Sequence, residues 1–393
     1  MRQILTSNDQ RTVAPIKLQY PPRLVFGCRC LDNFVQDYLT SGYQRVFLIT
    51  TKPVLPLIEH GVSMLKDNNI CVRIFEANDS EPTMSTFLEM LTAAKDYSAD
   101  SVAGIGGGSV LDVAKLAAAL VNSDQTITEI VGIGLLKKRR VFLVCIPTTS
   151  GTGSEVSPNA ILLDEAENQK KGIISPHLVP DAAYIDPLLT ITVPPHITAF
   201  TAIDALTHCI EAYVNRFAHP IIDHYALKGI ELIAANIELA CKNGANVPAR
   251  EALSLGSLYG GLCLGPVNTA AVHALAYPLG SKYRIAHGLA NAVLLPHVMK
   301  FNLGSVTNKY ANIALALGAE QGSSLEVTAE NGVKRLLQIY ERINLSPKLS
   351  EMDIPLQAID FMAKEAMQVT RLLQNNPRVM TLKDAKRIYL EAF

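Results

Sequence analysis

Residues 101–120 read SVAGIGGGSVLDVAKLAAAL, and the fold class turns on this stretch. Ser101 to Ile105 form a short run of small and β-branched residues without polar alternation, the pattern of a strand buried on both faces. The run passes through Gly106, Gly107, Gly108 and Ser109 straight into an Ala-rich helical segment that begins near Val110. Glycines permit close backbone approach, and the start of a helix offers free N–H groups at the positive end of its dipole. Together they make an anion site on which a pyrophosphate would sit well. Gly104-Ile105-Gly106 opens like GxGxxG, but the sixth position is Ser109, and a tight glycine turn without a ligand fits the residues equally. Asp112, one turn in, is either a second polar contact or simply favourable charge near a helix N-terminus.

Outward from this turn, short β-rich runs alternate with amphipathic helical ones from about residue 22 to 186, the signature of an α/β domain. Strands are expected at LVFG (24–27), RVFLITT (45–51), CVRIF (71–75), VFLVCIP (141–147) and AAYID (182–186). Prolines then interrupt the pattern between Pro187 and Pro195. VPPHIT (193–198) reads as a helix start, and helical patterns run from there to the C-terminus. The expected organisation is a Rossmann-like α/β dinucleotide-binding domain over 1–190 and an all-α domain over 191–393. Residues 1 to about 20 read as an arm or an edge strand.

Composition narrows the function. The 393 residues exceed one ordinary core. A formal net charge of -1 with 18% charged residues argues against a nucleic-acid surface or an anionic membrane as partner, which leaves a small molecule. There is no long uninterrupted apolar run, and MRQILTSNDQRTV lacks a signal peptide's hydrophobic segment. Seven scattered cysteines without a CxxC pair fit reduced thiols in the cytoplasm, with Cys28 and Cys30 read as structural.

Two further stretches carry chemistry. IPTTSGTGSEVS (146–157) follows a buried strand and offers Thr148, Thr149, Ser150, Thr152 and Ser154 among glycines, where open α/β sheets bind ligands. The plain alternative is a polar loop satisfying its own backbone. FTAIDALTHCIEAY (200–213) places Asp204 and His208 four apart in an apolar helical pattern, so both project from one face. NTAAVHALAYPLGSKYRIAHGLANAVLLPH (268–297) adds His273 and His287 in segments that read as buried. Three imidazoles and a carboxylate suit one divalent cation such as Fe(II) or Zn(II), whereas singly each would be a hydrogen-bonded core residue. His60, His177, His196, His219, His224 and His297 are taken as structural or surface residues.

GGGSVLDVAK (106–115), PTTSGTGSEV (147–156), DALTHCIEAY (204–213) and AHGLANAVLLPH (286–297), in this order, make the chain resemble the iron-containing (group III) alcohol dehydrogenases. The resemblance extends from LVFG to LLPHVMKFN (294–302). It implies a dehydroquinate synthase-like architecture: a dinucleotide-binding α/β domain, an all-helical domain and a metal at the floor of the cleft between them. The implied metal ligands are Asp204, His208, His273 and His287. The implied pyrophosphate contacts are Gly106, Gly107, Gly108 and Ser109, with Thr148, Thr149, Thr152 and Lys170 lining the nicotinamide nucleotide. The implied activity is metal-dependent, NAD- or NADP-linked interconversion of a small alcohol, diol or hydroxy acid with its aldehyde or ketone, in a homodimer or larger assembly.

The chain departs from the family pattern twice. Tyr277 stands where many members have a histidine beside the substrate, and a phenol of pKa ~10 is a poorer proton acceptor than imidazole. Thr51, followed by Lys52, stands where NAD-preferring members often carry an Asp for the ribose diol. Without that carboxylate a 2′-phosphate is not repelled, and NADP is expected to be accepted. A dehydroquinate synthase-like lyase, or an inert metal- and nucleotide-binding homologue, are the competing readings. The lyase would need a basic pocket, and near the ligands only Lys282 and Arg284 offer one.

Overall fold

A computed structural model describes residues 13–78, 82–167 and 169–393. Most of the arm expected over residues 1 to about 20 therefore lies outside the described residues. Two compact units emerge, one over Gln19–Thr192 and the other over Val193–Phe393, with residues 13–18 grouped with the second.

Among its described residues the first unit contains nine strands: β1 (Arg23–Phe26), β2 (Arg45–Thr50), β3 (Cys71–Glu76), β4 (Ser101–Gly106), β5 (Gly132–Ile133), β6 (Phe142–Pro147), β7 (Asn159–Asp164), β8 (Gln169–Ile174) and β9 (Ala182–Ile185). Helices α1 (Cys30–Thr40), α2 (Leu55–Asp67), α3 (Met84–Asp96) and α4 (Gly108–Leu120) intervene. Six strands form one parallel sheet in the order β1-β9-β6-β4-β2-β3. Alternation along β2 explains its apolar run: Val46 and Leu48 enter one core with residues of α1 and α2, while Phe47 and Ile49 enter another with residues of α3 and α4. With both faces covered, none of the central positions from Val46 to Ile49 is left for a polar side chain.

A second sheet, β5-β8-β7, was not foreseen. Its hairpin pairs Asn159 through Asp164 with Ile174 through Gln169. Only Ala160, Leu162 and Ile173 contribute to the core from it, so QKKGII looks like a solvated loop until it is paired.

The second unit is all helical: α5 (Pro195–Val214), α6 (Pro220–Lys242), α7 (Val247–Leu264), α8 (Ala271–Tyr283), α9 (His287–Asn302), α10 (Thr307–Ala316), α11 (Leu325–Arg342), α12 (Ile359–Gln368), α13 (Thr370–Leu373) and α14 (Leu382–Glu391). The core gathers around α5, where 15 of 20 residues are buried. A helix apolar all round must lie inside its domain, so its few polar side chains must meet one another there. No helix among the described residues is long and apolar enough to cross a membrane.

Candidate functional site

Helix α5 supplies two of the expected ligands and one residue that was not expected. Asp204, His208 and Glu211 follow at i, i+4 and i+7, which is a single face, and all three are buried. Helix α8 brings His273, also buried, and α9 begins at His287, which is half-buried. The approach of α9 to α5 depends on Gly288: a Cβ there would lie 2.3 Å from the Phe200 carbonyl oxygen. Any side chain at 288 would push His287 away from Asp204.

The result is a convergence on Asp204 Oδ1. The Nε2 atoms of His273, His287 and His208 lie 3.6, 3.7 and 3.9 Å from it. His273 and His208 approach each other Nε2 to Nε2 at 3.1 Å. The far nitrogen of His273 is fixed, because Nδ1 lies 2.7 Å from Glu211 Oε2. A carboxylate only accepts, so Nδ1 carries a proton and Nε2 is the nitrogen turned toward Asp204, where a bound cation would displace any proton on it. Glu211 in turn accepts from the backbone N–H groups of Ala270 and Val272. Asn291 donates to Asp204 Oδ1 at 2.7 Å, and its Nδ2 lies 3.1 and 3.3 Å from Nε2 of His273 and His287.

Burial disfavours the charge on Asp204, yet the imidazoles of His208, His287 and His273 hold its carboxyl well below the usual range. Burial likewise opposes charge on His273, which Glu211 and then Asp204 nonetheless push up to about 9. Three imidazole nitrogens and an ionised oxygen within 4 Å, most of them buried, are unfavourable alone and match the donor set of a divalent cation. Asp204, His208 and His273 by themselves satisfy the spacing for a shared ion. The residues fit the metal.

Tyr277 lies one turn beyond His273 on α8, half-buried, and its hydroxyl accepts a 3.1 Å hydrogen bond from Arg371 Nη2. His297 keeps a buried Nδ1 without a hydrogen-bond partner, and burial pushes its pKa down to about 4.

In the first unit the two loops after β4 and β6 interlock. Thr148 N–H donates to the Gly106 carbonyl. A Cβ on Gly108 would lie 2.4 Å from Thr152 Cγ2, and one on Gly107 would lie 3.7 Å from Thr149 Oγ1. Gly106, Gly107, Gly108, Thr148, Thr149 and Thr152 thus come together at the carboxyl edge of adjacent strands, with Ser109 in the first turn of α4. Thr152 Oγ1 also accepts from Ser154 N–H. Asp112 accepts from Ser154 Oγ at 2.6 Å and from Ile161 N–H at 3.0 Å, so it ties α4 to the second loop and to β7. Thr51 is buried just past β2, the strand beside β4, while Lys170 sits on β8 opposite Leu163.

Lys115, also unforeseen, is fully buried beneath these loops and donates to Ser157 O, Ser157 Oγ and Asn159 O. Burial lowers its pKa and pushes Glu155 up to about 7.

Residues 21–187 match the family model described as "Iron-containing alcohol dehydrogenase", and residues 198–393 match "Fe-containing alcohol dehydrogenase family, C-terminal". The chain is 37% identical over 383 residues to Long-chain-alcohol dehydrogenase 1 of Geobacillus thermodenitrificans, covering 96% of each. It is 30% identical to Lactaldehyde reductase of Escherichia coli, covering 94% of this chain and 97% of that one. A crystal structure of 1,3-propanediol oxidoreductase superposes with a TM-score of 0.93 at 30% identity, over 97% of this chain and all of that one.

Proposed function

Because the chain belongs to the iron-containing alcohol dehydrogenase family, we propose that it interconverts a small alcohol or diol with its aldehyde or ketone by NAD(P)-linked hydride transfer at a divalent cation. The convergence of three Nε2 atoms on one buried oxygen of Asp204 carries this reading. Asp204, His208, His273 and His287 would hold the cation, Fe(II) or Zn(II). When bound, the cation supplies Lewis acidity toward the alcohol oxygen and the dinucleotide supplies the hydride acceptor.

The chain's own residues do the rest. Glu211 holds the His273 ring in one tautomer, and Asn291 holds the Asp204 carboxylate in one rotamer, so the donor set is pre-organised. Burial of Asp204, His208 and His273 keeps bulk water from the carboxylate and two of the rings. The turn Gly106-Gly107-Gly108-Ser109 receives the pyrophosphate at the head of α4, with Thr148, Thr149 and Thr152 alongside. Thr51 stands by the ribose, and Lys170 reaches the nicotinamide half. Tyr277, its oxygen engaged by Arg371, keeps its own proton to donate to a substrate oxygen. The first domain would bind the dinucleotide and the second the metal.

No observation favours the lyase or the inert homologue. Seven free cysteines accord with a cytoplasmic setting. A homodimer rests on the resemblance to the family, and sedimentation analysis of the purified chain decides it. The test of function is NAD(P)H absorbance with protein loaded with Fe(II) or Zn(II), short alcohols and diols, and an EDTA-stripped control. Metal-dependent reduction of the cofactor is the expected result, and His273→Ala is expected to lose metal and turnover together. Full activity in that variant would sink the assignment.

A further inference from the structure

Tyr277 and Arg371 form a pair that neither the cation set nor the dinucleotide loops require. Tyr277 shares the face of His273 on α8, one turn or roughly 6 Å further along. Arg371 lies on α13, which packs on α8 and is anchored by the buried Leu372. Arg371 is half-buried, and its guanidinium gives one N–H to the phenol oxygen at 3.1 Å. Among the described residues no carboxylate lies within 4.0 Å of it, and Nε and Nη1 have no acceptor. A partly desolvated guanidinium with no countercharge is unfavourable, and the second N–H of Nη2 still completes a fork that matches a carboxylate.

We propose that Arg371 is a specificity-determining residue that binds a carboxylate on the substrate, so that the enzyme acts on a short hydroxy acid and the corresponding oxo acid. This rests on the dehydrogenase reading above. The second N–H of Nη2, together with the neighbouring nitrogen on its side, pairs with the two carboxylate oxygens, and the Tyr277 O–H, its oxygen already accepting from Arg371, donates to one of them. The pair selects substrate by hydrogen bonding to its carboxylate. The one-turn offset between His273 and Tyr277 puts the carboxylate a few carbons from the carbinol carbon, which disfavours 2-hydroxy acids.

The experiment compares 4-hydroxybutanoate with 1-butanol, charged and neutral four-carbon probes, on the Zn(II)-loaded full chain with NADP and with NAD. The wild type is expected to favour the acid. Arg371→Met is expected to lower the acid-to-alcohol ratio of kcat/KM roughly tenfold to hundredfold, mainly through KM, with partial recovery in Arg371→Lys. Tyr277→Phe should lower it less, and Arg342→Met, which removes an exposed arginine paired with Glu238, should leave it unchanged. As a readout independent of turnover, butanoate should raise the melting temperature of the wild-type complex with zinc and NADPH, and not that of Arg371→Met. Equal losses on both probes, or equal protection of both proteins by butanoate, would overturn the proposal. If the wild type oxidises neither probe nor any other alcohol, the dehydrogenase reading fails instead, and the butanoate shift alone decides the anion site.

Discussion

Glu211 and His273 meet at 2.7 Å, one carboxylate oxygen against Nδ1, and the same carboxylate caps the backbone N–H groups of Ala270 and Val272 at the start of α8. One side chain on α5 therefore sets both where α8 begins and which nitrogen of His273 faces Asp204. Replacing Glu211 with Gln keeps the shape and removes the charge. Cation affinity is expected to fall roughly 10- to 100-fold, as for other residues that orient a ligating histidine. Competition titration with a chromophoric chelator reads this directly. An unchanged affinity would mean that packing alone orients the ring.

Gly108→Ala tests the dinucleotide loops without touching the cation. The new Cβ would lie 2.4 Å from Thr152 Cγ2 and 2.7 Å from its Oγ1, and a short branched side chain cannot swing clear of it. The second loop must move away from the head of α4. NADPH affinity, followed by fluorescence, is expected to weaken about tenfold or more while zinc content stays the same. Retained affinity would remove these loops from the binding site.

What the sequence made legible follows from how strongly each residue was constrained. The apolar runs of β2, β4 and β6 read correctly because both faces of the sheet are covered. Asp204 and His208 stood out as polar residues in an apolar helix. Glu211 was equally visible, three residues after His208 on the same face, but counting only four-residue spacings passed over it. Asn291 had no such signal, since a lone amide in a helix is ordinary until its partners are placed. The β7–β8 hairpin hid behind Gln169, Lys170 and Lys171, whose polarity masks a strand that buries only Ile173. Arg371, 98 positions from His273 in the chain, comes near α8 only through the packing of α13.

Thr51 bears on the choice of dinucleotide. It is buried at the end of β2 with exposed Lys52 beside it, so no carboxylate at these two positions repels a 2′-phosphate. NADP is therefore expected to serve as a substrate, and Thr51→Asp is expected to lower kcat/KM for NADP relative to NAD about tenfold or more. The ratio of the two efficiencies in wild type and variant gives the answer. A wild type strongly selective for NAD would refute the expectation.

Glu155 gives the first unit a pH dependence whose direction can be worked out. Burial raises its carboxyl from 4.5 to about 7, with the Lys115 ammonium only partly offsetting it. Below pH ~4.5 the group is protonated whether the chain is folded or not. Between there and about 7 the folded chain keeps a proton that the unfolded chain has released, so stability falls as the pH rises. At 1.36 kcal/mol per unit the full shift amounts to ~3 kcal/mol, all of it lost once the pH passes the folded value. Glu155→Gln removes the titration and keeps the volume. Urea unfolding of metal-free wild type and variant should give similar stability near pH 5, with the variant gaining on the wild type toward pH 8. Parallel curves across that range would mean that Glu155 stays ionised against Lys115 throughout, and that the pair acts as a buried ion pair.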